Sequence, residues 1–132
     1  DARLVTPYQP FLVLVAPPAD YDTYTGQHVA KEDTDIVVRC SVMLSIVKAF
    51  PGTGTCCTGN AARIKGSLVY EMLSPESRAK EVLSIGHPTG TIQVTSIVED
   101  DSGELPKMKK VSFIRTARVL MDGTTYVRKS VL

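Results

Sequence analysis

Two glycines enclose a histidine, a proline and a threonine in one short stretch of this chain, Gly86, His87, Pro88, Thr89 and Gly90. Glycines permit unusual backbone dihedral angles, so the backbone N–H groups and the Thr89 hydroxyl could converge on an anion such as a carboxylate. The spacing matches neither a phosphate-binding Walker loop nor a dinucleotide fingerprint. Because Gly and Pro also serve ordinary turns, a plain connection between two strands stays open as the alternative.

Arg115 is the second residue whose surroundings suggest chemistry. If residues 111–121 form a strand, Arg115 shares one face with apolar side chains, whereas Arg118 points to the opposite face. The apolar residues on that face are Val111, Phe113, Ala117 and Val119. A half-buried guanidinium needs a partner, which is either an internal Asp or Glu or a substrate carboxylate held by two hydrogen bonds.

Cys56 and Cys57 stand where a helix of small residues, 56–62, is predicted to begin. A thiolate is stabilised at a helix N-terminus, so either thiol could move protons; the alternative is a small buried hydrophobic side chain. Neighbouring cysteines without a second pair do not match zinc-ligand spacing, so we predict no metal site. Lys48 is either a solvated charge at a helix end or a base.

The composition is that of an ordinary globular domain. The 132 residues carry 43% hydrophobic and 22% charged side chains with a net charge of +1, which suits one core in one domain. Scattered basic residues and the absence of Trp argue against a nucleic-acid partner. The longest apolar run, 11–16, is too short for a membrane helix. An odd cysteine count with two adjacent cysteines favours a reducing, cytoplasmic location.

The hydrophobic pattern predicts the elements that position these residues. A β-branched run predicts a buried strand over 11–15, and a loop follows it to about Lys31. Helical spacing predicts a helix over 33–47, although its first half is equally compatible with a strand. The apolar residues in that helical pattern are Ile36, Cys40, Met43, Leu44 and Val47. After the central helix, a strand is expected over 67–70, and a polar turn at Ser74 follows.

The second half of the chain reads as strands and turns. Alternating residues predict two strands, 82–85 and 91–98, joined by the glycine-flanked stretch. A charged loop, 99–109, then leads to the strand over 111–121. An Asp-Gly pair at its end predicts a hairpin into residues 124–127. The expected sheet is therefore mostly antiparallel.

Several stretches together, in their order and spacing, resemble the PrpF family of 2-methylaconitate isomerases. They are Asp-Thr-Asp-Ile at 33–36 with Arg39, Lys-Ala-Phe-Pro at 48–51 with Thr53 and Gly54, Ala-Ala-Arg-Ile-Lys-Gly at 61–66, Gly-His-Pro-Thr-Gly at 86–90, and Arg-Thr-Ala-Arg-Val-Leu-Met-Asp-Gly at 115–123. The resemblance covers almost the whole chain but corresponds to the second half of a family member. Since the chain begins at Asp1 without a Met, we also expect a larger upstream part.

The resemblance implies an α+β fold, a diaminopimelate epimerase-like lobe in which mostly antiparallel strands wrap around a central helix. Residues 1–132 would form this one domain, and the first lobe of the two-lobed isomerase is absent from the chain. The implied activity is cofactor-independent, allylic or cis–trans isomerisation of small unsaturated di- or tricarboxylic acids, such as 2-methylaconitate, by proton transfer. The active site lies between the lobes.

Residue by residue, the stretch 86–90 matches the family's Gly-His-Pro-Ser-Gly loop. Arg115, Arg118 and Met121 match its Arg-Thr-Ala-Arg-x-Leu-Met segment, and with Lys48 these are the candidate substrate-binding residues. The turn containing Cys56 and Cys57 resembles the Cys-Gly-Thr-Gly helix start of the epimerases, where a thiol is an acid or base. Four positions depart from the family pattern and leave the acid's identity open: Val47 for His, Lys65 for Pro, Ser67 for Thr and Thr89 for Ser.

The family's proton-handling Lys and Cys belong to the first lobe, so this chain alone is expected to lack them. Its partners would be a small polycarboxylate and a first lobe, in the same polypeptide or in a separate chain. Two alternatives remain. The chain is a non-catalytic carboxylate-binding module, or it self-associates as a homodimer through the cleft face that the other lobe normally covers.

Overall fold

The computed structural model describes residues 2–5, 11–42, 45–103 and 105–131. Its strands are β1 (Leu12–Ala16), β2 (Tyr21–Asp22), β3 (His28–Val29), β4 (Ile36–Val42), β5 (Ser45–Ile46), β6 (Val82–His87), β7 (Gly90–Asp100) and β8 (Lys107–Phe113). Its α-helices are α1 (Ala2–Val5), α2 (Gly52–Ala61), α3 (Leu68–Met72) and α4 (Pro75–Ala79), with short 3-10 helices at Lys31–Asp33 and Lys129–Val131. Across the described ranges, none of these helices has the length and hydropathy needed to span a bilayer.

One curled sheet, shaped as half of a barrel, organises the fold. Its strands lie in the order β1-β4-β6-β7-β8, with β5 paired to the end of β4. All pairs are antiparallel except β4 with β6, which run parallel. The strands β2 and β3 form a separate small hairpin. The expected mixture of helices with a mostly antiparallel sheet is thereby confirmed.

The central helix α2 packs against β7 and β8 through small residues. A Cβ atom on Gly59 would lie 2.6 Å from Val94 Cγ2, and one on Gly52 would collide with the ring of Phe113. These glycines therefore let the helix approach the sheet more closely than a larger residue would allow. A helix was predicted here, but it begins at Gly52, four residues before Cys56.

The helix predicted over 33–47 is wrong, because its first half forms strand β4. Ile36, Val38 and Cys40 point into the core with 1% exposure or less, which is the two-residue period of a strand. Pairing with β1 on one side and β6 on the other favours the β-branched residues in extended form and outweighs a weak helical period. Met43 and Leu44, which completed that pattern, lie outside the described residues.

Two serine side chains start short helices where a strand and a turn were predicted. The strand predicted over 67–70 is wrong, since the Ser67 side chain accepts a hydrogen bond from the Tyr70 N–H and starts α3. Ser74 caps α4 in the same way, with Pro75 in its first turn, where a missing N–H costs nothing. The polar turn expected at Ser74 is thus the start of a short helix.

The C-terminal residues depart furthest from expectation. The strand predicted over 111–121 ends at Phe113, and residues 114–128, the C-terminal arm, contain no helix or strand. The hairpin predicted at the Asp-Gly pair is therefore wrong in this structure. The Phe113 ring packs against Gly52 at the start of α2, and Ile114 and the next two residues line a cavity instead of extending the sheet.

Candidate functional site

The glycine-flanked stretch forms a tight hairpin turn between β6 and β7, and the prediction that these strands are joined here is confirmed. His87 pairs with Gly90, so only Pro88 and Thr89 connect the strands. Gly90 has φ +136°, a conformation that favours glycine. Thr89 is exposed, and its hydroxyl and N–H lie 3.2 and 3.4 Å from Nδ1 of His87.

The His87 imidazole is buried in the turn, with 8% of the residue exposed. Burial lowers its pKa from the ordinary value of 6.5, a hydrogen bond with the Thr91 backbone opposes this effect, and the positive charge of Arg39 adds to the lowering. His87 is consequently neutral at pH 7, with one ring nitrogen able to donate and the other able to accept.

The β2–β3 hairpin holds the turn from the outer side of the sheet. The Tyr21 hydroxyl donates to the carbonyl oxygen of Gly90 over 2.6 Å, and the Tyr24 N–H donates to the carbonyl oxygen of Pro88 over 2.7 Å. Burial raises the pKa of Tyr21, partly offset by a His87 backbone hydrogen bond and the charge of Arg39. Sequence reasoning treated these residues as a plain loop and missed both contacts, which carry no local signal.

Lys48 comes close to the turn through Tyr24. Its Nζ lies 3.9 Å from the centroid of the Tyr24 ring, a cation–π distance, while the Tyr24 backbone contacts Pro88. Tyr24 thus links two candidates that are far apart in sequence, Lys48 and the stretch 86–90, without a direct contact between them.

A cavity of about 390 Å³ opens at the start of α2. Its lining residues are Phe50, Gly52, Ile92, Phe113, Ile114, Arg115 and Thr116. Ile92 is two residues from Gly90 along β7, which is about 7 Å at the rise of a strand. The cavity and the hairpin turn therefore occupy the same end of the sheet.

Arg115 lines this cavity, but not as expected. It was predicted to be half-buried on a strand, whereas it is exposed because β8 ends two residues earlier. No carboxylate of the described residues lies within ion-pair distance of it, so an internal acid does not neutralise it there. Arg118 and Met121 are exposed on the C-terminal arm and do not line the cavity.

Cys56 and Cys57 are not at the helix start, so that prediction is wrong. They lie in the second turn of α2, past the unpaired N–H groups that would stabilise a thiolate. Cys57 lines a different, apolar groove between β1, α2 and α3. Among the residues that the structure describes, no cluster of His, Cys, Asp and Glu could hold a metal ion.

Asp35, part of the Asp-Thr-Asp-Ile stretch, forms a buried ionic brace rather than a binding site. Its carboxylate accepts hydrogen bonds from Ser77 Oγ at 2.6 Å, Lys80 Nζ at 2.6 Å and the Ser84 N–H at 2.8 Å. Burial alone would raise the pKa of Asp35, but these three hydrogen bonds outweigh it and lower the pKa below 3.8. The brace fixes the beginning of β4 to α4 and β6.

Known proteins are similar to this chain in sequence and in architecture. The model of the PrpF protein family matches residues 2–128. The 3-methylitaconate isomerase of Eubacterium barkeri is 41% identical over all of this chain and 33% of its own length, and the 2-methyl-aconitate isomerase of Shewanella oneidensis is 38% identical over 92% of this chain and 30% of its own length.

The fold of the chain is also similar to that of a solved structure. The crystal structure of a methylitaconate-delta-isomerase superposes with a TM-score of 0.69 and 30% identity, over 97% of this chain and 35% of that one. The chain spans about a third of the length of the curated relatives that it matches. Sequence and structure agree that the chain belongs to the PrpF family.

Proposed function

We propose that this chain is the substrate-binding part of a cofactor-independent isomerase that shifts a double bond in small unsaturated di- or tricarboxylic acids, such as 2-methylaconitate. The observation that carries the proposal is that the 86–90 turn and the Arg115-lined cavity lie at one end of the sheet, with Lys48 linked to the turn through Tyr24. Membership of the PrpF family supports the class of reaction, since the relatives are named as isomerases of such acids.

The turn supplies neutral donors for one carboxylate. The exposed Thr89 hydroxyl lies 3.2 Å from Nδ1 of the neutral His87 ring, and it is free to donate to a carboxylate when the ring carries its proton on Nδ1. A hydroxyl and backbone N–H groups bind a carboxylate without the strong salt dependence of a surface cation. Thr89 therefore serves in the role that Ser has in the family's loop.

The start of α2 supplies the site for a second carboxylate. Pro51, its N-cap residue, makes no side-chain hydrogen bond to the helix, so the N–H groups of the first turn remain available to an anion. Gly52 and Arg115 line the same cavity. Arg115 adds a guanidinium suited to binding a carboxylate by two hydrogen bonds.

Binding both carboxylates also prepares the chemistry. Positive charge and N–H groups around the acid stabilise the carbanion that forms when a neighbouring C–H loses its proton. We assign the proton transfer itself to a first lobe, in the same polypeptide or another chain, that closes the cleft. In this proposal the curled sheet around α2 is one lobe of a diaminopimelate epimerase-like fold.

The test is double-bond migration in aconitate-like acids after joining this chain to the remaining length of a PrpF protein. The double variant Arg115→Ala, Thr89→Ala should lower kcat/KM by about 100-fold, the equivalent of two lost polar contacts. A matched control, Arg128→Ala with Thr124→Ala, changes the same residue types at exposed positions on the C-terminal arm. Equal turnover of the two double variants would reject the proposed site.

A second candidate is a carboxylate-binding module without catalysis. It is favoured by the position of Cys57, which lines the apolar groove and not the cavity at the start of α2. Calorimetry of the isolated chain with tricarboxylates, followed by analysis for conversion, separates the two. Binding without conversion by the rejoined protein would favour the module over the isomerase.

A further inference from the structure

The hairpin turn that carries Thr89 is held by residues that face away from the cavity. Two carbonyl oxygens of the turn accept hydrogen bonds from other parts of the chain. The Pro88 oxygen accepts one from the Tyr24 N–H at 2.7 Å, and the Gly90 oxygen accepts one from the Tyr21 hydroxyl at 2.6 Å. Those two donors belong to the β2–β3 hairpin, more than 60 residues away along the chain. The shape of the turn is therefore a tertiary property and not only a consequence of its two glycines.

Gly86 is fitted to Tyr21. A Cβ atom at position 86 would lie 2.9 Å from the Tyr21 hydroxyl oxygen and 2.9 Å from Cγ2 of Thr34, closer than atoms of these types approach. The first glycine of the turn thus makes room for the tyrosine that bonds the second. This explains a glycine at position 86 without any contact to a ligand.

Arg39 fixes the tyrosine in turn. Its guanidinium carbon lies 5.0 Å from the centroid of the Tyr21 ring, a cation–π contact, and its Nη1 donates to the Val38 carbonyl oxygen over 2.7 Å. The parallel register of β4 with β6 pairs Val37 with Gly86, which places Arg39 beside the turn. Its charge reaches His87, whose protonation it opposes.

We propose that Tyr21 and Arg39 are positioning residues, which hold the 86–90 turn from behind in the conformation that presents Thr89 to a substrate carboxylate. This inference rests on the proposed function for its consequence on binding, but its structural half stands alone. Tyr21 fixes the turn by a directed hydrogen bond. Arg39 fixes Tyr21, and its charge adds to the lowering of the His87 pKa that burial causes.

Titration of the isolated chain with trans-aconitate, followed by NMR, tests the inference. Tyr21→Phe removes only the hydroxyl and should weaken binding about five- to tenfold, as expected for one lost hydrogen bond. Tyr70→Phe makes the same change on α3, where the ring packs against Arg78, and should bind as the unchanged chain does. Arg39→Lys retains the charge and Arg39→Gln removes it, so only the second should raise the pKa of His87.

The outcomes separate this inference from the proposed function. If the unchanged chain and Tyr21→Phe bind aconitate equally, Tyr21 does not position the turn and the inference is overturned. If the unchanged chain does not bind aconitate, the proposed function fails, and the resonances of residues 87–91 decide the inference. The resonances of the turn should shift in Tyr21→Phe and in Arg39→Gln but not in Tyr70→Phe. Unchanged resonances in the first two variants would overturn the positioning role of Tyr21 and Arg39. Circular dichroism checks that each variant is folded.

Discussion

The β6–β7 hairpin and the C-terminal arm carry the two halves of the proposed binding site, yet this chain holds them very differently. The hairpin contains fully buried side chains such as Leu83 and Ile85 and is braced from outside by Tyr21. The arm contains Arg115 but leaves Leu120 and Met121 at least 80% exposed. The hairpin half of the proposed site is therefore held in place by this chain, whereas the arm makes few contacts with the chain that would hold it.

The difference follows from what each segment packs against. Leu83 and Ile85 lie in the hydrophobic core and lose almost all contact with water, which is the main favourable term in folding. The apolar residues of the arm have no such partner among the described residues. A large exposed apolar segment of this kind is typical of a surface that another part of a protein covers.

The same substitution in the two regions should change the free energy of unfolding by very different amounts. Leu83→Ala creates a cavity in the core and should lower the free energy of unfolding by about 2–5 kcal/mol. Leu120→Ala removes an exposed side chain and should change it by less than about 0.5 kcal/mol. Urea denaturation measures both. Similar losses would mean that the arm is packed in solution.

The brace beneath the hairpin should produce a smaller, pH-dependent effect. Asp35→Asn removes the charge that Lys80 and Ser77 stabilise, and it should lower the free energy of unfolding by about 1–3 kcal/mol at pH 7. Because the folded pKa of Asp35 is lowered, its contribution is full above the unfolded value of 3.8 and is lost as the pH falls through the folded pKa. Denaturation at several pH values should show the two proteins converging in strong acid. A constant difference would contradict this role.

The smallest expected effect is a difference between the pKa values of the two histidines. His87 should titrate below 6.5, because burial and the charge of Arg39 lower its pKa. His28 should titrate above 6.5, because its hydrogen bond with Asp22 raises its pKa. Since the folded pKa of His87 is the lower one, its stabilising contribution is present above pH 6.5 and decreases as the pH falls below that value. NMR of the ring protons checks the order, and coincident midpoints would show that His87 is solvated.

The sequence predicted the hairpin better than any other region, because local signals and tertiary context agree there. Alternating apolar residues and two glycines specify two strands and a tight turn. For residues 36–42 the helical spacing of the apolar residues conflicts with their β-branched character. These residues form a strand because they pair with a strand on each side. At 67–70 one serine hydroxyl decided for a helix, an effect that hydrophobic periodicity does not register.

The candidate site was predicted in part for a similar reason. The stretch 86–90 and Arg115 stand out by residue type, so sequence alone suggests them. Tyr21 and Arg39 lie 69 and 51 residues from Gly90 in sequence. Only in the folded chain does Tyr21 bond the turn and Arg39 contact Tyr21. The exposure of Arg115 was not predictable either, because strand periodicity continues beyond Phe113 while the strand itself does not.

The most direct measurement is a map of backbone amide shifts in the labelled chain as trans-aconitate is added. Shifts concentrated at residues 86–92 and 52–54, with Arg115 joining them, are expected if the hairpin turn and the start of α2 each bind a carboxylate. Shifts confined to the apolar groove around Cys57, or no saturable shifts at all, would contradict a carboxylate site at this end of the sheet.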